Sequence, residues 1–360
     1  MPEFHLYDFE LPISISDIEQ IQIILKDQDI FLSPRNDIDR YDWQTFRLAA
    51  AEGGTETVAL FDRNVFSDVV SIARSAEIDQ APASIERARI GAAVMAFLQC
   101  SNVLIEPNLA LYEEPNGAFK DFRLFRRADE VDARIYTEIA LGRLDRISGF
   151  QLPPPKVEPK PEDFTRPFKG AEAHRIAVLK IAELELSTLP PLKKLKQFLR
   201  WVFHEYVFLP AAVTLAAQQF APPRGKPLLR NLRSTDRQKA LHGVENAVWD
   251  LLVAMNWAER VLEQKQKKRF WLLCSRDEAL KQLASRLLFT SIEGESRDVA
   301  LRRIFSELWG AELGRSLSRE MVSLMDDKDN LARKVNQPNF DQHFDTLEAE
   351  LKRRVLNWQP

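Results

Sequence analysis

Cysteine is almost missing from this chain. Its two, Cys100 and Cys274, cannot staple 360 residues, so a disulfide framework of the secreted kind is excluded. Each ends an apolar run, where a small buried thiol is expected. Glycine is scarce at 12, and neither G-x-G-x-x-G nor G-x-x-x-x-G-K-[ST] occurs, which removes the phosphate-cradling loops. The five histidines are scattered without H-x-x-x-H or a Cys/His cluster, which argues against a zinc site, and G-x-S-x-G is absent. The longest apolar stretch, Tyr206 to Ala217, falls well short of the ~20 residues that a membrane-spanning helix needs. The first residues, MPEFHLYDFELPISISD, lack a basic segment followed by an apolar one, so no signal peptide is read and a cytoplasmic protein without a membrane partner is expected.

What is present is a large apolar fraction, 45%, beside 29% charged residues that nearly cancel to a formal −3. A chain of this size supports two or three domains. Phe4, Leu6 and Phe9 read as an extended edge piece, and Ile18 to Leu25 has helical spacing. After the turn signal Gly53-Gly54, the run Thr57 to Phe61 has strand character and ends at Asp62. Helices fit Asn64 to Ala76 and Ser84 to Cys100, followed by a short β-branched run, Val103-Leu104-Ile105, and a helix opened by Pro107 and closed by Glu113. Leu152 to Pro161 is a proline-rich linker. Helical pieces follow at about 170–186 and 192–220, with a break at Pro222 to Pro227. A long helix runs from about Asp236 to Lys265. Phe270 to Cys274 reads as a buried strand, and Ser275 with Glu278 has the form of a capping box before a helix over Ala279 to Leu288. The remainder is helical, without a convincing coiled coil or an internal repeat.

Four acids stand where packing alone would not place them. Asp62 and Asp277 follow strands, and in an open α/β sheet the carboxyl ends of strands are where ligands bind. Glu113 closes a helix. Asp250 lies within Ala247-Val248-Trp249-Asp250-Leu251-Leu252-Val253-Ala254, where a carboxylate is costly without a cationic partner. Acids drawn from separate elements make a hard oxygen set suited to Mg²⁺ or Mn²⁺. Each also has a structural alternative. Asp62 can cap the following helix, Glu113 competes with Glu114, Asp250 can pair with an arginine such as Arg276, and Asp277 suits a helix start.

The order and local setting of these acids resemble the PIN-like nuclease superfamily. Strand-Asp62-x-Asn64-Val65-Phe66 looks like its opening motif. Val103 through Glu113 looks like its second, Trp249-Asp250-Leu251-Leu252-Val253-Ala254 its third, and Phe270 through Leu280 its fourth. The resemblance covers about 58–120 and 236–295, and departs from the compact family pattern through the long stretch between the second and third acids. It implies an α/β, PIN-like three-layer fold with a central mostly parallel sheet, a large helical insertion and a helical C-terminal extension. The corresponding organisation is an N-terminal extension at 1–57, core halves at 58–120 and 236–295, a mostly helical basic insertion at 121–235, and a helical region at 296–360.

The resemblance further implies a Mg²⁺- or Mn²⁺-dependent endonuclease. Asp62, Glu113, Asp250 and Asp277 would be metal ligands and catalytic groups, with Asn64 and Ser275 as polar auxiliaries. RNA is favoured over DNA as substrate, and a toxin or defence effector is the setting such a stand-alone enzyme suits. A homo-oligomer or a regulatory partner protein stays open.

A local charge asymmetry agrees with a nucleic-acid partner. Between Ser187 and Ala240, ten cations (Lys193, Lys194, Lys196, Arg200, Arg224, Lys226, Arg230, Arg233, Arg237 and Lys239) face two acids, Glu205 and Asp236. Lys265, Lys267, Lys268 and Arg269 form a second group. Such cations can neutralise phosphates. The interleaved Phe198, Trp201, Phe203 and Tyr206 read as helix core rather than base-stacking platforms. Met325 to Asn330 is acidic but lacks the Gly and terminal Glu of a calcium loop. Two rival readings remain: a non-catalytic nucleic-acid-binding or scaffold protein, and a structure-specific DNA nuclease.

Overall fold

The computed structural model describes residues 10–35, 37–75, 81–113, 117–144, 170–222, 227–289, 297–326 and 340–359. The expected edge piece at Phe4 to Phe9, the proline-rich linker, most of the Pro222 to Pro227 break, Glu114 and Asp327 to Asn330 lie outside them. The chain divides into two compact units, one of 1–166 with 260–277 and one of 167–259 with 278–360. The stretch 121–235 is thereby shared between the units. The described residues of 1–57 supply a short strand, two helices and the start of a second strand to the first. No helix among the described residues is long and apolar enough to cross a membrane.

The first unit is built on a four-stranded sheet. Its strands are β1 (Phe31–Leu32), β2 (Glu56–Phe61), β3 (Leu104–Glu106) and β4 (Arg269–Cys274), in the spatial order β1-β4-β2-β3. The pairs β2–β4 and β2–β3 are parallel, and β1 joins β4 antiparallel. The sheet is therefore mixed and mostly parallel. β2 and β4 are buried on both faces over most of their length, which is why each reads as an unbroken apolar run rather than an alternation.

Among the described residues, helices α1 (Ile15–Asp27), α2 (Trp43–Gly53), α3 (Arg63–Ser75), α4 (Pro82–Cys100), α5 (Asn108–Tyr112), α6 (Ala118–Asp129) and α7 (Ala133–Ala140) lie wholly in this unit. Ser14 and Asp42 cap α1 and α2 by accepting from the amides of Asp17 and Gln44. Gly54 ends α2 in the left-handed region, at φ 58°. Pro82 opens α4, whose Ile90 to Leu98 segment is buried on every side, with α1, α3 and α7 packed around it. Phe31, Phe46, Phe97 and Phe270 meet in one ring cluster, and Phe125 bridges Phe61 of β2 to Phe66 of α3. The site described below thus begins on a strand and a helix locked together by aromatic contacts. Truncating one such ring to alanine costs about 3–5 kcal/mol.

The second unit is helical: α8 (Ala171–Leu186), α9 (Pro191–His204), α10 (Pro210–Phe220), the larger part of α11 (Arg237–Lys267), α12 (Glu278–Phe289), α13 (Arg297–Trp309), α14 (Ala311–Asp326) and α15 (Phe340–Leu356). The helical stretch expected at 192–220 is two helices. Pro210 lacks an N–H and crowds the preceding residue, so Leu209 is extended at φ −118°, ψ 100°. Phe198, Trp201, Phe203 and Tyr206 are buried, as their spacing predicts.

Candidate functional site

Register assembles the centre of the site. Phe61 pairs with Cys274 across the parallel β2–β4 ladder, so the residues that follow both strands emerge side by side at the same sheet end. The ladder continues one step further, with the Asp62 N–H donating to the Cys274 carbonyl at 3.0 Å. On the other side of β4, the Ser275 N–H donates to the Ile30 carbonyl at 3.0 Å. Asp62 and Ser275, 213 residues apart in sequence, are consequently in direct contact.

Asp62 is 5% exposed and Ser275 fully buried. The Ser275 hydroxyl donates to Asp62 Oδ2 at 2.6 Å. Asn64 Nδ2 also donates to Asp62 Oδ2 in a short contact, and lies 3.2 Å from Ser275 Oγ. Asp62 Oδ1 accepts from the Arg63 N–H at 2.7 Å, and its carbonyl accepts from the Phe66 amide in the first bond of α3. Asp62 therefore serves the start of α3 as well as the cluster. Ser275 Oγ accepts from the Asp277 N–H at 2.9 Å, and Asn64 Oδ1 accepts from the Arg276 N–H at 3.1 Å. The helix after β4 begins at Glu278, so the Ser275 hydroxyl stabilises the approach turn by binding the amide two residues on.

Asp62, Asn64, Ser275 and Asp277 are thus joined by direct hydrogen bonds. Glu113 stands in the same unit, half-buried at the C-cap of α5, a helix that packs on β2, α3 and α6. Asp250 stands on α11 in the second unit, partly exposed. Arg276 turns to Asp68, with Nη2 2.9 Å from Asp68 Oδ2. Asp68 escaped the sequence reading, because one acid on an amphipathic helix looks like a solvent-facing residue. It is 5% exposed, and burial pushes its carboxyl up to about 6, partly offset by the positive charges of Arg276 and Arg87. Arg63, next to Asp62 in sequence, directs its guanidinium to Asp121 Oδ2 at 3.4 Å and to the Ala110 carbonyl at 3.2 Å.

Both thiols are inert by environment. Burial pushes Cys100 up to about 11, and burial together with the negative charge of Asp62 raises Cys274 well above the ordinary thiol range. Among the described residues, no group of three or more His, Cys, Asp or Glu stands close enough to enclose a metal ion. Hard oxygens at the ends of β2 and β4 still fit Mg²⁺, which binds through one or two carboxylates and keeps several waters.

The basic residues of the second unit are largely engaged within it. Lys194 is buried, its Nζ 2.9 Å from the Glu185 carbonyl and 3.3 Å from Glu185 Oε2, which removes it from any phosphate-facing surface. Arg237 donates to the carbonyls of Leu232, Ser234 and Val355 and lies over the Trp358 ring, so it closes helix ends instead. Arg233 donates to the Glu185 carbonyl, and Lys196 and Arg200 share Glu320. Lys193 and Arg230 are exposed. Lys268, in the first unit, is exposed in the left-handed turn between α11 and β4. The Lys267 side chain is outside the described set. Elsewhere in the first unit, a cavity of about 770 Å³ opens between α1, α4 and α7, lined by Ile23, Ile24, Ile85 and Ile90 among others. Glu86 and Arg89 also line it, so it selects no ligand charge, and none of the acids above reaches it.

Comparison with known proteins returned no matching family model, no matching curated protein and no matching solved structure.

Proposed function

We propose that this chain is a PIN-like, divalent-metal-dependent endonuclease that acts on RNA. One observation carries the reading: parallel register at the ends of β2 and β4 gathers Asp62, Asn64 and Ser275, with Asp277 one turn residue beyond. These are the residues that the first and fourth motifs of the resemblance single out. An isolated helix cap would not require a fully buried serine from another strand to donate to the same carboxylate.

Asp62 and Asp277 are the residues that would hold Mg²⁺ or Mn²⁺, with water completing the coordination; Glu113, the further ligand that the resemblance implies, does not make with them a group close enough to enclose an ion. Such an ion, when bound, supplies Lewis-acid stabilisation of the phosphodiester's developing charge. The chain's own groups do the positioning. Ser275 and Asn64 fix Asp62 Oδ2 in one orientation, and the Ser275 hydroxyl fixes the backbone that presents Asp277. The reading does not depend on Asp250 or on the basic residues engaged inside the second unit.

The test uses end-labelled RNA and DNA of matched sequence, with wild type and Asp62→Asn, in Mn²⁺ and in chelator. The expected outcome is cutting of RNA by the wild type in Mn²⁺, lost in chelator and in the variant. Cutting that survives chelator, or that is equal in the variant, removes the metal mechanism. Cutting of DNA alone moves the substrate assignment. Tight binding of either polymer without cutting favours a scaffold.

A further inference from the structure

Arg276 stands between Ser275 and Asp277, and it is tied to α3 at two successive points. Its backbone N–H donates to Asn64 Oδ1 at 3.1 Å, and its guanidinium Nη2 lies 2.9 Å from Asp68 Oδ2. Asn64 and Asp68 are four residues apart and so lie one above the other on a single face of α3. The turn after β4 is therefore strapped to α3 by main chain at one level and by side chain at the next.

Asp68 is buried for this contact. α4 closes over it so tightly that a Cβ at Gly91 would come within 3.1 Å of Asp68 Cβ and 3.3 Å of its carbonyl carbon. The pair is a charge contact rather than an aligned hydrogen bond, since Asp68 Oδ2 and Arg276 Nε each lack a hydrogen-bond partner. A pair of this kind, with Asp68 buried and Arg276 partly exposed, is a poor device for stability, because apolar residues in place of a desolvated ion pair commonly do as well or better. What it does provide is a single place for Arg276, and with it the backbone on both sides.

We infer that Asp68 and Arg276 form a positioning pair for the site: they clamp the Ser275–Asp277 turn onto α3, so that the Asp62–Asn64–Ser275 network and Asp277 keep one mutual arrangement. Its purpose rests on the proposed nuclease reading; its geometry does not. Neither residue touches substrate in this scheme.

The experiment is amide hydrogen exchange by NMR on the full-length, metal-free protein, for wild type, Asp68→Asn, Arg276→Gln and Arg276→Lys. In Asp68→Asn and Arg276→Gln, the amides of Arg276 and Asp277 exchange about tenfold faster or more, while Leu272 in β4 keeps its protection. Arg276→Lys, which keeps the charge, falls between them and the wild type. Unchanged exchange at Arg276 and Asp277 overturns the proposal. So does a uniform acceleration through β4 and α3, which marks a merely stabilising contact. If Asp68→Asn does not fold, the two Arg276 variants decide. A Mn²⁺ titration of cutting adds the functional arm, where Asp68→Asn raises the half-maximal Mn²⁺ concentration by about tenfold or more. A wild type that cuts nothing counts against the nuclease reading alone, since the exchange result still decides the pair.

Discussion

Asp62 holds three inward hydrogen bonds on a carboxylate that water scarcely reaches, so its substitutions separate charge from shape. Asp62→Asn keeps the shape but sets an amide donor against the donors of Ser275 and Asn64. Hydrogen bonds to charged groups contribute about 1.5–3 kcal/mol, and a folded variant destabilised within that range is expected from urea titration. Ser275→Ala removes both the donor to Asp62 and the acceptor of the Asp277 N–H, so a loss of about 1–3 kcal/mol is expected in the same measurement. Asp68 gives a pH signature. Its carboxyl is pushed up to about 6, against about 3.9 in an unfolded chain. Between those values the folded protein retains a proton that the unfolded chain has released. Its contribution to stability is therefore full below about pH 4 and is lost as pH rises through 6. The stability of wild type relative to Asp68→Asn should fall from pH 4 to 6.5 and then level off. A difference that stays flat across that window removes burial as the cause.

At the scale of elements, glycines mark where helices are pressed against their surroundings, Gly91 and Gly243 among them. A Cβ at Gly91 meets Asp68 and the Val69 amide of α3 at 3.1–3.3 Å, whereas one at Gly243 on α11 would lie 1.9 Å from the Arg230 carbonyl oxygen. Alanine is the better helix former by about 1 kcal/mol, but overpacking costs typically ~1–3 kcal/mol and occasionally more. Gly91→Ala should be mildly destabilising. Gly243→Ala should reach or exceed the upper end of that range, because a backbone contact of 1.9 Å, against 3.1–3.3 Å at Gly91, must be relieved. Thermal melts of the two variants rank them. The same scale shows what the sequence made legible. β2, β4, α3, α4 and α11 could be read because their apolar runs are long and end at polar punctuation. β1 could not, since Phe31–Leu32 is two residues and carries no periodicity. The Asp62–Ser275 contact follows from register, which no local pattern states, although each residue could be singled out beside its own strand. Asp68 could not be singled out, because its burial is decided by the close approach of α4 at Gly91. The engagement of Lys194, Arg233 and Arg237 was hidden for a similar reason. A cation's partners, here the carbonyls of Glu185 and Val355, come from residues distant in sequence or without charge.

At the scale of the whole molecule, the chain passes between its two units at Arg166, at Glu259 and at Asp277. β4, which lies between β1 and β2 in the sheet, therefore arrives from the far side of a long excursion. A fragment of residues 1–166 contains the other three strands and, among the described residues, helices α1 to α7, but lacks β4 and the end of α11 that leads into it. It should fail to reach a cooperatively folded state. The check is the circular dichroism and amide dispersion of the fragment against the full chain, and a native-like spectrum for the fragment would show that the 260–277 segment with β4 is dispensable to this unit. The same topology sets a clock during synthesis. Ribosomes add about 5–20 residues per second, so Asp62 waits on the order of ten to forty seconds for Ser275, 213 residues behind it. Until then the growing polypeptide carries Asp62 without the serine that orients its carboxylate. Under the proposed nuclease reading, the message being translated stays safe from its own product until Ser275 has been made.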